Sequence, residues 1–76
     1  MSRENEEQSV EKTLGSIFKH RREQKGYSLG QLEKMTGISS NYLKRIEINE
    51  RKAPPIPVMQ IIGLALDISI AELLVD

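Results

Sequence analysis

Apolar side chains along the 76-residue chain recur three and four positions apart, the spacing of one helix face, and no stretch alternates as a half-buried strand does. Val10, Leu14, Ile17 and Phe18 form one such stripe, closed by Gly26, whose place predicts a left-handed C-terminal cap. Ser28 followed by Gln31 is a capping box that opens a second helix of about eight residues, with Leu29, Leu32 and either Met35 or Thr36 on its inner side. Gly37 breaks that helix, and Ser39 caps a third running from Ser40 to about Glu47. The stretch "INERKAPPIP" is a polar, proline-bearing loop that cannot stay helical past Ala53. Pro57 suits the first turn of a fourth helix, where Val58, Met59, Ile61, Ile62, Ala65 and Leu66 leave few polar positions and predict the buried centre of the fold. Ser69 and Glu72 form a last capping box, over a short helix carrying Ile70, Leu73 and Leu74. The expected architecture is all-α: one compact five-helix domain over residues 10–76, after an acidic, poorly ordered tail over residues 1–9.

The third helix has a divided surface. At about 100° per residue, Ser40, Asn41, Lys44 and Arg45 share an arc of about 140°, while Tyr42, Leu43 and Ile46 turn the other way, toward the core. The outer set suits the edges of DNA bases: Arg can bond guanine through two hydrogen bonds, Asn can do the same for adenine, and Ser donates or accepts. An ordinary solvated helix shows a similar face, so this helix alone decides little. Its neighbour adds weight, because a capped helix, a glycine turn and a second capped helix make a helix-turn-helix arrangement.

Composition bounds the rest. Seventy-six residues make a single domain, with 38% hydrophobic residues and one Phe for an aliphatic core. The absence of cysteine leaves no disulfide or thiolate site and makes a reducing cytoplasm the expected location. No apolar run approaches the roughly 20 residues of a membrane span. "MSRENEEQSVEKT" has neither the basic start nor the apolar centre of a signal peptide. A formal net charge of zero argues against DNA until charge is counted by region. Residues 1–11 carry a net −3, residues 12–52 a net +6, and residues 53–76 a net −3. A basic middle between acidic ends is the layout of a domain with one anion-facing side.

These features together resemble a known family. "KHRREQKGYSLGQLEKMTGISSNYLKRIE" is similar to the Cro/C1-type (XRE-like) helix-turn-helix of phage repressors and small bacterial regulators, and the likeness continues through "PPIPVMQIIGLALDISIAELL". It extends in particular to the DNA-binding domain of Gram-positive sporulation and biofilm repressors, and covers about residues 12–75. The resemblance implies a lambda-repressor-like fold with the third helix in the major groove of double-stranded DNA. Carried over by position, it places base contacts at Ser40, Asn41 and Arg45, with Lys44 reaching a base or a phosphate. Ser28 and Ser39 fall where helix N-termini meet phosphates, and Asn49, Arg51 and Lys52 fall in a loop that adds backbone contacts. Arg22 and Glu47 match a buried ion pair that positions the reading helix without touching DNA. Three departures stand out: Leu29 replaces a phosphate-contacting Gln, "EINERKAPP" replaces a shorter glycine turn, and Glu33 occupies a place usually held by Ala, from which it must lean outward and bring negative charge toward the DNA side.

"ISIAELLVD" has two uses in such proteins: Ile70, Leu73 and Leu74 either close the core or form a two-fold interface. A homodimer would set two reading helices about one DNA turn apart, roughly 34 Å. His20, the only histidine, has no second ligand at helical spacing. The carboxylates are scattered, no Ser sits in a nucleophile elbow, and Gly15, Gly30 and Gly63 make no phosphate loop. Met35 and Met59 read as core filler. The expectation is therefore a sequence-specific transcriptional regulator, a repressor, with no enzymatic activity, metal or cofactor. The alternative is a protein-interaction module of the same fold, such as an antitoxin or a helical adaptor with a protein partner.

Overall fold

The computed structural model describes residues 13–50 and 54–73, except the side chain of Ile70. Five helices follow in order: α1 (Leu14–Gln24), α2 (Leu29–Thr36), α3 (Ser40–Glu47), α4 (Ile56–Leu66) and α5 (Ile70–Leu73). The described residues contain no strand.

Short helices depend on their ends, since the first N–H and last C=O groups have no partner inside the helix. Thr13 and Ser16 close a reciprocal capping box at the start of α1, with Thr13 Oγ1 accepting the Ser16 N–H at 3.2 Å and Ser16 Oγ accepting the Thr13 N–H at 3.0 Å. Val10, expected in the α1 stripe, lies outside the described residues. Ser28 and Gln31 form the same device on α2, and Ser69 with Glu72 form it on α5. Three helices then end in one way. At Gly26, Asn49 and Asp67 the backbone turns left-handed, at φ 75°, 67° and 58°. In each case the next residue's N–H reaches back to a carbonyl of the last turn: Tyr27 to Arg22, Glu50 to Arg45, and Ile68 to Gly63. These are Schellman closures, and Asn and Asp are the side-chain-bearing residues that best tolerate this backbone.

Every helix from α1 to α4 contributes to one core of Phe18, Leu32, Leu43, Ile46, Ile62 and Leu66, and Ile68 joins it after the α4 turn. Two expectations are corrected. Met35 is not core filler; it is 48% exposed, and its neighbour Thr36 turns inward to donate from Oγ1 to the Leu32 carbonyl and accept the Ile38 N–H. Nor is α4 buried all round. It buries Ile62, Gly63 and Leu66, but Ile56, Ile61 and Leu64 are exposed, Leu64 by 82%. With α1 and α2 as its main packing partners, α4 is covered on one side only.

Gly15 fixes the approach of α1 to α3. A Cβ built there would lie 2.2 Å from the Ile46 carbonyl oxygen and 2.9 Å from that of Glu47, with Asn49 Oδ1 at 2.8 Å. Only a residue without a side chain lets the first turn of α1 rest on the last turn of α3. Gly15→Ala should therefore force the helices apart and cost about 1–3 kcal/mol, the range for overpacking. In urea-induced unfolding the midpoint should fall; an unchanged midpoint would mean that the two helices do not meet this closely.

Candidate nucleic-acid interface

Helices α2 and α3 pack on each other across the turn at Gly37, whose left-handed φ of 77° brings its N–H onto the Glu33 carbonyl at 2.8 Å. Ser39 then accepts the Tyr42 N–H at 3.1 Å and starts α3. Along α3 the sides separate as the wheel predicts. Leu43, Ile46 and Glu47 are buried, Tyr42 is half-buried against the core, Ser40 is half-buried, and Asn41, Lys44 and Arg45 are exposed.

The inner side is held by a buried fork. Arg22 Nε donates to Glu47 Oε2 at 2.7 Å and Arg22 Nη2 to Oε1 at 3.0 Å, while Nη1 donates to the Tyr27 carbonyl at 2.8 Å. One guanidinium thus ties α1 both to the end of α3 and to the residue before the α2 cap. The Glu47 hydrogen bonds hold the Arg22 pKa above its already high ordinary value, so the guanidinium stays charged at any working pH. Arg21, the adjacent residue, points about 100° away along the helix. It donates to the Leu66 and Asp67 carbonyls and pairs with Glu72, joining α1 to the α4–α5 corner. Lys25 pairs with Asp67 at 3.1 Å on the same corner. Sequence reasoning misses this anchoring role of Arg21, although the "RR" pair in a helix is its visible signal.

On the outer side, two carboxylates stand among the candidate contacts. Glu33, exposed on α2, reaches over the turn and accepts the Ser40 N–H through Oε1 at 3.1 Å. Glu50, folded back by the Schellman turn at Asn49, places Oε1 3.9 Å from Arg45 Nε, and both side chains are exposed. Ser28 and Ser39 use their hydroxyls as helix caps, and the Ser28 N–H is already bonded to Gln31 Oε1 at 2.8 Å. Asn49 is half-buried with its Oδ1 against Gly15. Arg51, Lys52 and Leu74 lie outside the described residues, as does the side chain of Ile70; Leu73 is half-buried against the core. The structure thus brings Ser40, Asn41, Lys44 and Arg45 onto one helix, while Arg21, Arg22 and Lys25 belong to internal ion pairs. Among the described residues there is no group of three metal-ligating side chains, and no helix long and apolar enough to cross a membrane.

Residues 18–73 match the family described as Helix-turn-helix, and that span holds all of α2, α3 and α4. The chain belongs to the helix-turn-helix family. Within it, the chain is similar to the HTH-type transcriptional regulator SinR of Bacillus subtilis (strain 168) and to SinR of Bacillus licheniformis. Each is 36% identical over 61 residues, which cover 80% of this chain and 55% of the relative. It is also similar to the HTH-type transcriptional regulator SlrR of Bacillus subtilis (strain 168), at 32% identity over 60 residues, 79% of this chain and 40% of the relative. The chain thus spans about half the length of the SinR relatives it matches. No solved structure is significantly similar to it.

The fork makes a definite prediction for the helix-turn-helix unit. Arg22→Ala leaves a carboxylate buried without its partner, which costs about 3–5 kcal/mol. Chemical unfolding should show that loss, and Arg22→Lys, which keeps charge without the planar fork, should recover only part of it. Stability equal to wild type in both variants would show that the pair does not hold α3.

Proposed function

We propose that this domain is a sequence-specific, double-stranded-DNA-binding transcriptional regulator, acting as a repressor and reading the major groove with α3. The observation that carries this reading is the divided surface of α3. Leu43, Ile46 and Glu47 fix its inner side to the core, while Asn41, Lys44 and Arg45 project from the outer side at the end of a capped two-helix unit. A rigid helix of eight residues with Asn and Arg on its free face has the dimensions and hydrogen-bonding groups to enter a groove about 12 Å wide. The two SinR relatives and SlrR, all named transcriptional regulators, support the same reading.

In this reading Ser40, Asn41 and Arg45 contact bases, and Lys44 contacts a base or a phosphate. Ser28, Ser39, Asn49, Arg51 and Lys52 are the proposed phosphate contacts, and the protein acts in the cytoplasm as a homodimer on paired half-sites. Arg45 must leave Glu50 to reach a guanine, but an exposed pair at 3.9 Å is worth only about 0–1 kcal/mol. A two-bond contact to guanine, at about 1–3 kcal/mol, outweighs it. A second reading, a protein-interaction module, is favoured by the exposed Ile56, Ile61 and Leu64 on α4.

Arg45→Ala tests the first reading. It should cost about 1–3 kcal/mol on the preferred duplex and relax the preference at one base pair, with little change on random duplex. Equal affinity of variant and wild type for both duplexes would remove Arg45 from the base-reading set.

A further inference from the structure

Glu33 is the residue whose placement a general helix-turn-helix surface does not explain. It sits in the middle of α2, where Lys34 is the only other charged residue, yet its side chain crosses the turn to the next helix. Oε1 accepts the N–H of Ser40, the first residue of α3, while the side chain remains exposed. It therefore does two things. It satisfies one of the N–H groups that the start of α3 leaves open, with the sign of charge that a helix N-terminus favours. It also sets an acceptor-only group beside Ser40, at the end of α3 that the proposed function leads into the groove.

We infer that Glu33 is a specificity-determining residue, whose carboxylate accepts the exocyclic amine of a cytosine in the major groove. This inference rests on the DNA-reading function proposed above. One carboxylate oxygen is engaged by Ser40, and a carboxylate has lone pairs for several further donors. Among base edges in the major groove, cytosine N4 is a pure donor and the usual partner of Glu and Asp. Guanine O6 and N7 and thymine O4 are acceptors, and bring a partial negative charge against the carboxylate. Adenine offers N6 beside the N7 acceptor, and is the weaker of the two amine-bearing choices. The hydrogen bond to Ser40 restrains the side chain before DNA arrives, so little rotamer freedom is lost on binding. Glu33 is thus coupled to Ser40, the first candidate base contact, through the peptide N–H of that residue itself.

Two other roles for the same group give different results. A pure cap would stabilise α3 without altering base preference. A pure charge filter would weaken binding to all duplexes alike and reduce affinity without selecting a base. The test is selection of bound duplexes from a random pool by the full 76-residue chain, compared with Glu33→Gln and Glu33→Ala. Wild type should enrich cytosine about tenfold over guanine at one position of its motif, the discrimination of one good base contact. Glu33→Gln keeps an oxygen for the Ser40 N–H and so keeps the fold, but its NH₂ is a donor. It should lose the cytosine preference and favour an acceptor-bearing base at that position, with the rest of the motif retained. Glu33→Ala should leave the position without preference, within about twofold among bases. A wild-type pool with no motif at all would refute the DNA-reading function and this inference with it. A clear wild-type motif that stays the same in both variants, whether or not overall affinity rises, would overturn the role of Glu33 alone.

Discussion

The bidentate contact between Arg22 and Glu47 is the interaction on which the rest of this structure depends, because it is where the core and the exposed face of α3 meet. Glu47 is the last residue of α3 and is 8% exposed, so its carboxylate has exchanged water for a single guanidinium. Such a pair gains little over an apolar contact of the same shape, but it tolerates only one geometry, since a misaligned fork leaves both charges buried and unmatched. The third donor of Arg22, on the Tyr27 carbonyl, extends that constraint to the approach of α2. The two helices of the helix-turn-helix are thus referenced to the same side chain of α1, and Gly15 lets α1 come close enough to supply it.

From this constraint follows the distribution of charge. The central region is basic by count, but the structure divides its cations by role. Arg21 and Arg22 leave α1 in different directions and tie down the α4–α5 corner and the end of α3, and Lys25 assists the first. Lys44 and Arg45 of α3 are exposed and serve no such anchor, with Glu33 bonded at the start of the helix and Glu50 3.9 Å from Arg45 at its end. Under the proposed function, a face with Glu33 at one end and Glu50 at the other would gain less from phosphates in general than a uniformly basic face. Binding of the proposed kind would then depend more on matched base contacts, which is the balance that separates a selective domain from a general DNA-binding one.

Much of this fold is legible in the sequence because local rules govern it. Cap residues three apart at Ser28–Gln31 and Ser69–Glu72, the glycines at 26 and 37, and the inward Leu43 and Ile46 depend on backbone geometry within one turn of helix, and spacing along the chain carries that geometry directly. Other features escape for reasons of distance or number. Gly15 carries no pattern of its own, since what it permits is a contact with carbonyls of a different helix, far along the chain. The apolar content of α4 suggests complete burial, but the count of helices able to cover it sets the limit, and Leu64 is left outside. Glu33 is readable as an outward-leaning charge; that it caps α3 at Ser40 depends on how closely α2 and α3 approach across Gly37, which linear spacing does not encode. Arg21 is hidden beside Arg22, one signal serving two anchors.

The central claim is that the free face of α3, held by the Arg22–Glu47 fork, binds duplex DNA electrostatically and reads it by sequence. The most direct measurement is a fluorescence titration of the chain against labelled random duplex and against a duplex chosen by selection, each repeated at several salt concentrations. The expected result is binding to both at low salt, weakening as salt rises, with the selected duplex held at least about a thousandfold more tightly. A chain that binds neither duplex even at low salt, or binds both equally, would contradict it.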